Sequence, residues 1–119
     1  MTSGAESHLM RRTPRRGTGP DGLVRYTLED LTDPAGEDPK AVIEVRRSGP
    51  VARVVGGGVP ERHLGHGHGR RLAAQVMTAQ RAEGCRTVLM AETTEPAARR
   101  MMRELGFVPV APGTWQLTL

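Results

Sequence analysis

The chain has 119 residues, of which 37% are hydrophobic and only 3% aromatic, and its formal net charge is +4. This length predicts one domain, and the scarcity of large apolar side chains predicts a single thin sheet with packed helices rather than a thick core. The one cysteine, Cys85, excludes an internal disulfide. No apolar run has the length of a signal peptide or of a membrane span, so we expect a cytoplasmic protein with no membrane partner.

Residues 1–22 are rich in Gly, Ser, Thr, Pro and Arg and lack apolar periodicity, which predicts a disordered basic leader ahead of a folded domain over residues 23–119. The leader carries clustered arginines that could contact nucleic acid: Arg11, Arg12, Arg15 and Arg16. No aromatic residue that could stack on a base lies among them, and no nucleic-acid-binding motif is recognisable. We therefore do not expect nucleic acid to be the partner.

Three strands are predicted in the first half of the domain, at residues 23–28, 41–47 and 51–55, where apolar and β-branched residues dominate. Residues 29–40 are acidic and contain proline and glycine, so they predict a loop between the first two strands. The second and third strands are predicted to form a hairpin. Three glycines at residues 56–58 either end the third strand or build a bulge into it, and both arrangements expose backbone groups to a ligand.

A βαβ unit is predicted in the middle of the chain. After residue 69, apolar residues recur at intervals of three and four, which predicts a helix, and Gly84 stands where a left-handed residue often ends one. The segment of residues 86–91 is short and mostly apolar, with β-branched residues near its start, which is typical of a buried parallel strand. The crossover between the two strands should be right-handed.

A second helix and two final strands complete the predicted α/β (α+β) fold. Pro96 fits the first turn of this helix, and Gly106 ends it. The final strands are predicted at residues 107–110 and 115–119, joined by a Pro-Gly turn. Exposed edge strands in such a thin sheet make a homodimer plausible.

Residues 65–69 have the sequence Gly-His-Gly-His-Gly and lie directly before the first predicted helix. Glycine tolerates positive φ and lets a ligand approach the backbone closely, so alternate glycines can turn alternate amides toward one point. The helix start directs further N–H groups and the positive end of its dipole to the same point. This pattern predicts a loop that binds phosphate oxygens, and a glycine-rich turn that binds nothing is the alternative.

Two separated motifs give a family resemblance. Residues 63–72, His-Leu-Gly-His-Gly-His-Gly-Arg-Arg-Leu, and residues 95–107, Glu-Pro-Ala-Ala-Arg-Arg-Met-Met-Arg-Glu-Leu-Gly-Phe, resemble the acetyl-CoA-binding half of the GNAT N-acetyltransferases. The family has R/Q-x-x-G-x-G/A at the start of a helix and, later, a motif close to N-x-A-A-x-x-x-Y-x-x-x-G-F. The likeness covers about half the chain, roughly residues 51–110.

The resemblance implies a GNAT-like central mixed sheet with helices on both faces. The part before the hairpin is abbreviated, since the family usually has a strand and one or two helices there and the helices help to form the acceptor site. Here a single predicted strand and an acidic loop stand ahead of residue 41. The acidic residues of this loop, Asp30, Asp33, Glu37 and Asp38, could attract a cationic amine or could simply be solvated.

The resemblance also implies that acetyl-CoA is the co-substrate and that the protein is an N-acetyltransferase. The acceptor would be a primary amine on a small molecule or a peptide, attacking the thioester directly. Backbone amides of the glycine loop would hold the pyrophosphate, and the end of the third strand would pair with the pantetheine arm. The implied cofactor-binding residues are Gly58, Val59, Leu64, Gly65, His66, Gly67, His68, Gly69 and Arg70.

Three residues depart from the family pattern. If Gly67 and Gly69 are the family's glycine pair, Leu64 stands where the family has Arg or Gln. If Gly65 and Gly67 are the pair, Arg62 takes that place, but the helix then moves by two residues. Glu95 stands where the family has Asn, and Met102 where many members have the tyrosine that can protonate the leaving thiolate. The alternative function is therefore an acyl-CoA-binding or regulatory module with impaired catalysis. Glu44 or His63 could act as a base through a water, although a solvated strand residue and a loop residue are the simpler interpretations.

The histidines of the loop region also admit a metal site. His63, His66 and His68 have the spacing H-x-x-H-x-H, and imidazole is a common ligand of zinc and nickel. No cysteine or carboxylate lies at ligand spacing from them, so we predict no metal cofactor.

Overall fold

One mixed β-sheet and two α-helices make up the residues that the computed structural model describes, 8–14, 22–30 and 39–119. The helices are α1 (His68–Ala82) and α2 (Pro96–Leu105), and a 3₁₀ turn spans Glu61–His63. The strands are β1 (His8–Pro14), β2 (Leu23–Asp30), β3 (Ala41–Ser48), β4 (Val51–Gly58), β5 (Thr87–Ala91), β6 (Val108–Ala111) and β7 (Thr114–Thr118).

The strand order in the sheet is β1-β2-β3-β4-β5-β7-β6. β4 and β5 are parallel, and every other neighbouring pair is antiparallel. The predicted β3–β4 hairpin and the predicted βαβ unit of β4, α1 and β5 are both present. The strands and helices expected from residue 23 onward all form, with ends shifted by up to three residues.

Both helices lie on one face of the sheet. Side chains alternate between the two faces along each strand, and the strand pairing places Tyr26, Val45, Val88 and Trp115 on the same face. On this face Gln80 of α1 hydrogen-bonds to Tyr26, and two arginines of α2 lie over Trp115. The predicted mixed sheet of this fold class is confirmed, whereas helices on both faces are not found among the described residues, because the part described ahead of β3 contributes strands only.

The N-terminal strand β1 falls inside the predicted disordered leader. It pairs with β2 along its whole length, from His8 opposite Asp30 to Pro14 opposite Val24. The prediction of disorder does not hold for residues 8–14, because an edge strand obtains its backbone hydrogen bonds from its neighbour and needs little apolar content of its own. Residues 1–7 and 15–21 of the predicted leader lie outside the described residues, as do residues 31–38 of the loop predicted over residues 29–40. The first two residues of that predicted loop, Glu29 and Asp30, are the end of β2 instead.

The core lies between the sheet and the two helices. Leu72 and Val76 of α1 and Met102 of α2 are fully buried in it, together with β-strand residues of the same face. The larger members of this core are Tyr26, Leu28, Phe107 and Trp115. Burial of these side chains holds the start of α1 beside the end of β4, which positions the glycine loop. Within the described ranges, no helix has the length and apolarity needed to cross a membrane.

Candidate functional site

The two parallel strands of the sheet separate toward their C-terminal ends. β4 and β5 pair over a short stretch whose last pair is Val54 opposite Met90. Beyond this pair, β4 continues beside β3 to Gly58. β5 has only one further residue, Ala91, and that residue pairs with β7. In the described part of the chain, the edge of β4 that would face β5 has no strand against it, and Val55 is 43% exposed. An extended ligand could add to this edge as a further strand would.

A β-bulge lies where β4 leaves β5. Val54 is opposite Val45 of β3, whereas Gly56 is opposite Glu44, so Val55 is an extra residue in β4. A bulge bends its strand and increases the local twist, which directs the end of β4 away from β5. The glycine run predicted a strand end or a bulge, and the structure has a bulge one residue earlier. Nothing in the side chain of Val55 marks it as the bulged residue.

Gly57 lets β3 and β4 approach each other closely. Its φ is 145°, and a Cβ atom built on it would lie 2.4 Å from the Val42 carbonyl oxygen. No real side chain tolerates that distance, and L residues rarely adopt that φ. Glycine at this position is therefore required for the strand to pair and bend as it does.

The predicted glycine loop, residues 65–69, leads from the 3₁₀ turn into α1, which begins earlier than predicted, so that His68 and Gly69 are its first two residues. Gly65 has φ 81° and Gly67 has φ 75°, both in the left-handed region that favours glycine. Gly67 is the N-cap of α1, with no side-chain cap and no acidic residue in the first turn. The positive end of the helix dipole therefore has no anionic side chain of the first turn beside it.

The backbone amides of the loop are available to a ligand. Those of Gly65, Gly67, Gly69 and Arg70 donate to no backbone carbonyl among the described residues. The first amide at the helix start that does so is that of Arg71, which donates to the Gly67 carbonyl oxygen at 3.0 Å. Such a run of N–H groups at a helix start is suited to bind phosphate oxygens.

Of the two arginines that follow the loop, Arg70 is held in a salt bridge. Its Nη1 lies 2.7 Å from Glu104 Oε2 of α2, and its side chain is 64% exposed. An ion pair this exposed contributes little stability, so the guanidinium can exchange its carboxylate for a phosphate. Arg71 is half-buried.

The three histidines of the loop region cluster. The rings of His66 and His68 have centroids 5.7 Å apart, and the ring of His63 is edge-on to that of His68 at 6.3 Å. No group of three or more His, Cys, Asp or Glu that could hold a metal ion occurs in the described part of the chain. The clustering places His63, one of the two predicted bases, next to the loop.

Glu44, the other predicted base, lies on β3 at the bulge. It is opposite Gly56, and a Cβ atom on Gly56 would be 3.8 Å from Glu44 Oε1. It alternates with Ile43 and Val45, so its side chain is on the face of the sheet away from α1 and α2. Glu44 is half-buried there and has Arg25 opposite it on β2. The two candidate bases thus lie on different elements, Glu44 on β3 at the bulge and His63 in the 3₁₀ turn before the glycine loop.

The three departures from the family pattern have distinct places. Leu64 is 58% exposed just before the loop. Glu95 is the N-cap of α2, and its Oε1 accepts a hydrogen bond from Ala97 N at 3.1 Å, which is the ordinary role of a capping side chain. Met102 is 0% exposed in the core under α2, so it fills space and presents no acid.

The comparisons with known proteins agree with this architecture. A model of the acetyltransferase (GNAT) family matches residues 22–107. No match is found among curated proteins.

Solved structures share the fold at low sequence identity. The IAA acetyltransferase from Bacillus cereus superposes with a TM-score of 0.74 at 11% identity, covering 95% of this chain and 100% of that one. The ribosomal-protein-S18-alanine N-acetyltransferase from Escherichia coli gives 0.71 at 13% identity, covering 92% and 94%. An Escherichia coli protein solved in solution with bound coenzyme A gives 0.70 at 18% identity, covering 94% and 98%.

Proposed function

The chain belongs to the acetyltransferase (GNAT) family, and from this we propose that it transfers the acetyl group of acetyl-CoA to a primary amine by direct attack. The family carries out acyl transfer from acyl-CoA. The observation that carries the proposal is the arrangement of two features at one end of the sheet: the unpaired edge of β4, and the uncapped glycine loop at the start of α1. The unpaired edge of β4 is suited to bind an extended amide-containing arm, and the glycine loop is suited to bind a diphosphate.

The donor site we propose uses backbone groups more than side chains. Amides of residues 65–70 hold the pyrophosphate, and residues 57–59 pair with the pantetheine arm. In this proposal the donor site does not depend on a basic side chain at Leu64, because the main-chain donors are unaffected by that side chain. Arg70 adds a charge-assisted contact to phosphate once it leaves Glu104.

The transfer step needs few protein groups. The neutral amine nitrogen attacks the thioester carbonyl carbon, the C–S bond breaks, and the nitrogen loses a proton. Backbone N–H groups of the bent end of β4, near Gly58 and Val59, stabilise the oxyanion in this proposal. The sulfur leaves as thiolate or takes a proton from water, because Met102 cannot supply one.

For proton removal we propose Glu44 or His63, each acting through a water. Glu44 lies beside the bulge on the side of the sheet away from the helices, and His63 lies next to the loop.

A second candidate is an acyl-CoA-binding module without catalysis. The full burial of Met102 favours it, since the position of the family's acid is occupied by a core side chain. The acceptor in either case is a small molecule or a peptide amine, and we propose no metal.

Two measurements test the proposal. Calorimetric titration of the purified chain with CoA and acetyl-CoA should show binding in the micromolar range, about −8 kcal/mol. Release of free thiol from acetyl-CoA with a panel of amines separates the candidates: release supports the transferase, and binding without release for any amine supports the module. Absence of CoA binding would refute both.

A further inference from the structure

A depression on the surface of α2 is lined by three arginines. It is open to solvent, has a volume of about 350 Å³ and is lined by Thr94, Pro96, Arg99, Arg100 and Arg103; we call it the α2 arginine pocket. No carboxylate is among these lining residues. Its lining contains none of the residues proposed above for the donor or for the base.

Two of the arginines are positioned by an aromatic ring. The guanidinium carbons of Arg99 and Arg103 lie 6.0 and 5.8 Å from the centroid of Trp115. They are four residues apart on α2 and so project from the same side of the helix. Trp115 is only 5% exposed, so it forms a fixed base beneath the two cations. Cation–π contact orients a guanidinium and leaves its N–H groups free to bind an anion.

The positive charge of the pocket is only weakly compensated. Arg99 Nη2 lies 3.7 Å from Glu92 Oε1, a long contact, and Arg99 Nε is buried with no hydrogen-bond partner in the described part of the chain. Two other carboxylates of this segment have partners in the structure: Glu95 accepts a hydrogen bond from Ala97 N at the start of α2, and Glu104 pairs with Arg70 as long as Arg70 is not bound to phosphate. A buried N–H group without a partner favours an oxygen acceptor.

Thr94 and Pro96 place one end of the pocket at the same end of the sheet as the opening, and Arg99 projects from the side of α2 away from the donor loop. Arg70, which directly follows the glycine loop, contacts Glu104 of α2. Glu104 is about 140° around the helix axis from Arg99. Met90 is the last residue of β5 that pairs with β4. Thr94 is four residues later in the chain, so the Cα atoms of Met90 and Thr94 lie within about 14 Å of each other. A group bound in the pocket is therefore within reach of a molecule whose amine lies at the opening.

We propose that the α2 arginine pocket binds the carboxylate of the acceptor, so that the acceptor is an amine that also carries an acidic group. This rests on the proposed function, since it names the class of amine. A carboxylate matches the planar fork of a guanidinium and accepts from two N–H groups at once, and Arg99, Arg100 and Arg103 offer several such pairs.

Trp115 is the only tryptophan of the chain and reports on the pocket directly. The experiment titrates the full chain with succinate at constant ionic strength and follows the indole emission, with neutral succinamide as the matched ligand. We expect a saturable change with succinate only, and about tenfold weaker binding in the Arg99→Gln/Arg103→Gln variant. Arg81→Gln, an exposed arginine elsewhere on the chain, should leave the titration unchanged. Equal responses to succinate and succinamide, or equal succinate affinity in the variant, would overturn the site.

Arg100→Gln provides a second variant if the double substitution does not fold, since Arg100 is exposed and its loss should still weaken succinate binding.

A second set of titrations identifies the source of the anion, using CoA and dephospho-CoA, which lacks the ribose phosphate. Unchanged affinity of the double variant for both supports an acceptor role; a loss of affinity for CoA alone would assign the pocket to the donor's phosphate and overturn that role. Because CoA binding to the unmodified chain is measured separately, failure of the proposed function is distinguishable from failure of the pocket.

Discussion

Gln80 of α1 donates a hydrogen bond from Nε2 to the hydroxyl oxygen of Tyr26 on β2, at 2.7 Å, and both side chains are buried. Arg47 of β3 extends the contact, because its Nη1 donates to Gln80 Oε1 at 3.1 Å. The network joins α1 to two strands on the helix-covered face of the sheet. It fixes the C-terminal half of the helix whose N-terminus carries the glycine loop.

Replacing Gln80 by leucine should destabilise the protein by about 1–3 kcal/mol, because the Tyr26 hydroxyl loses a donor and Arg47 loses an acceptor in a buried setting. Denaturant unfolding measures the change. Gln75→Leu, at a half-buried position of the same helix, is the matched control and should change stability by less. A double-mutant cycle with Tyr26→Phe should be clearly non-additive. Additive effects would show that the two side chains do not act together.

Gly57→Ala should destabilise the fold by about 2–4 kcal/mol, since its Cβ would lie 2.4 Å from the Val42 carbonyl oxygen at a φ that alanine avoids. The control is Gly58→Ala, because a Cβ there meets nothing within 4 Å. Thermal unfolding of the two variants makes the comparison. Equal stability would mean that β3 and β4 do not approach as closely at Gly57 as the structure has them.

Gly67→Val should weaken CoA binding by at least about tenfold, because a β-branched side chain at the helix N-cap disturbs the left-handed backbone and blocks approach to the amides. Gly113→Val is the matched control for backbone strain. The two glycines have φ of 75° and 76°, and a Cβ at either meets nothing within 4 Å. Calorimetry should show lost affinity only for Gly67→Val. Similar affinities in the two variants would contradict the loop as the pyrophosphate site.

Glu44→Gln should lower kcat for thiol release by about 10²-fold or more while leaving CoA affinity unchanged, if Glu44 removes the proton from the amine. Glu29→Gln is the matched control, because Glu29 is also half-buried on a neighbouring strand and on the same face of the sheet. Steady-state kinetics with acetyl-CoA and a reactive amine distinguish them. An unchanged rate in Glu44→Gln would show that Glu44 is not the base and would leave His63 as the candidate.

Met102→Tyr should lower stability by about 1–3 kcal/mol and should not raise the rate of thiol release. Met102 is fully buried, so a larger ring with a hydroxyl overpacks the core instead of reaching the sulfur. Met102→Leu, which conserves volume, should lose less than about 1.5 kcal/mol. A faster variant carrying tyrosine would show that this position does face the thioester.

The order of elements was predictable because it depends on local patterns. Alternation and β-branching identified the strands from residue 23 onward, the three-and-four spacing identified α1, and Pro96 and Gly106 marked the ends of α2. The glycine loop was predictable for the same reason, since a left-handed φ at Gly65 and Gly67 is a property of glycine itself.

The same patterns failed for β1. An edge strand takes its hydrogen bonds from a neighbour, and the pairing of His8–Pro14 with β2 leaves no signature in the composition of that segment. The bulge was only half predicted, because the glycine run marks its neighbourhood and not the extra residue, Val55.

By itself, then, the sequence determined which segments are strands and helices and where the backbone can bend, because these follow from the conformational preferences of neighbouring residues. Only the tertiary structure decided that β4 leaves β5 after Val54, that both helices cover one face, and that Arg99 and Arg103 meet over Trp115. These relations join residues distant in the chain. They depend on strand register and on which side chains fill the core, which no local pattern encodes.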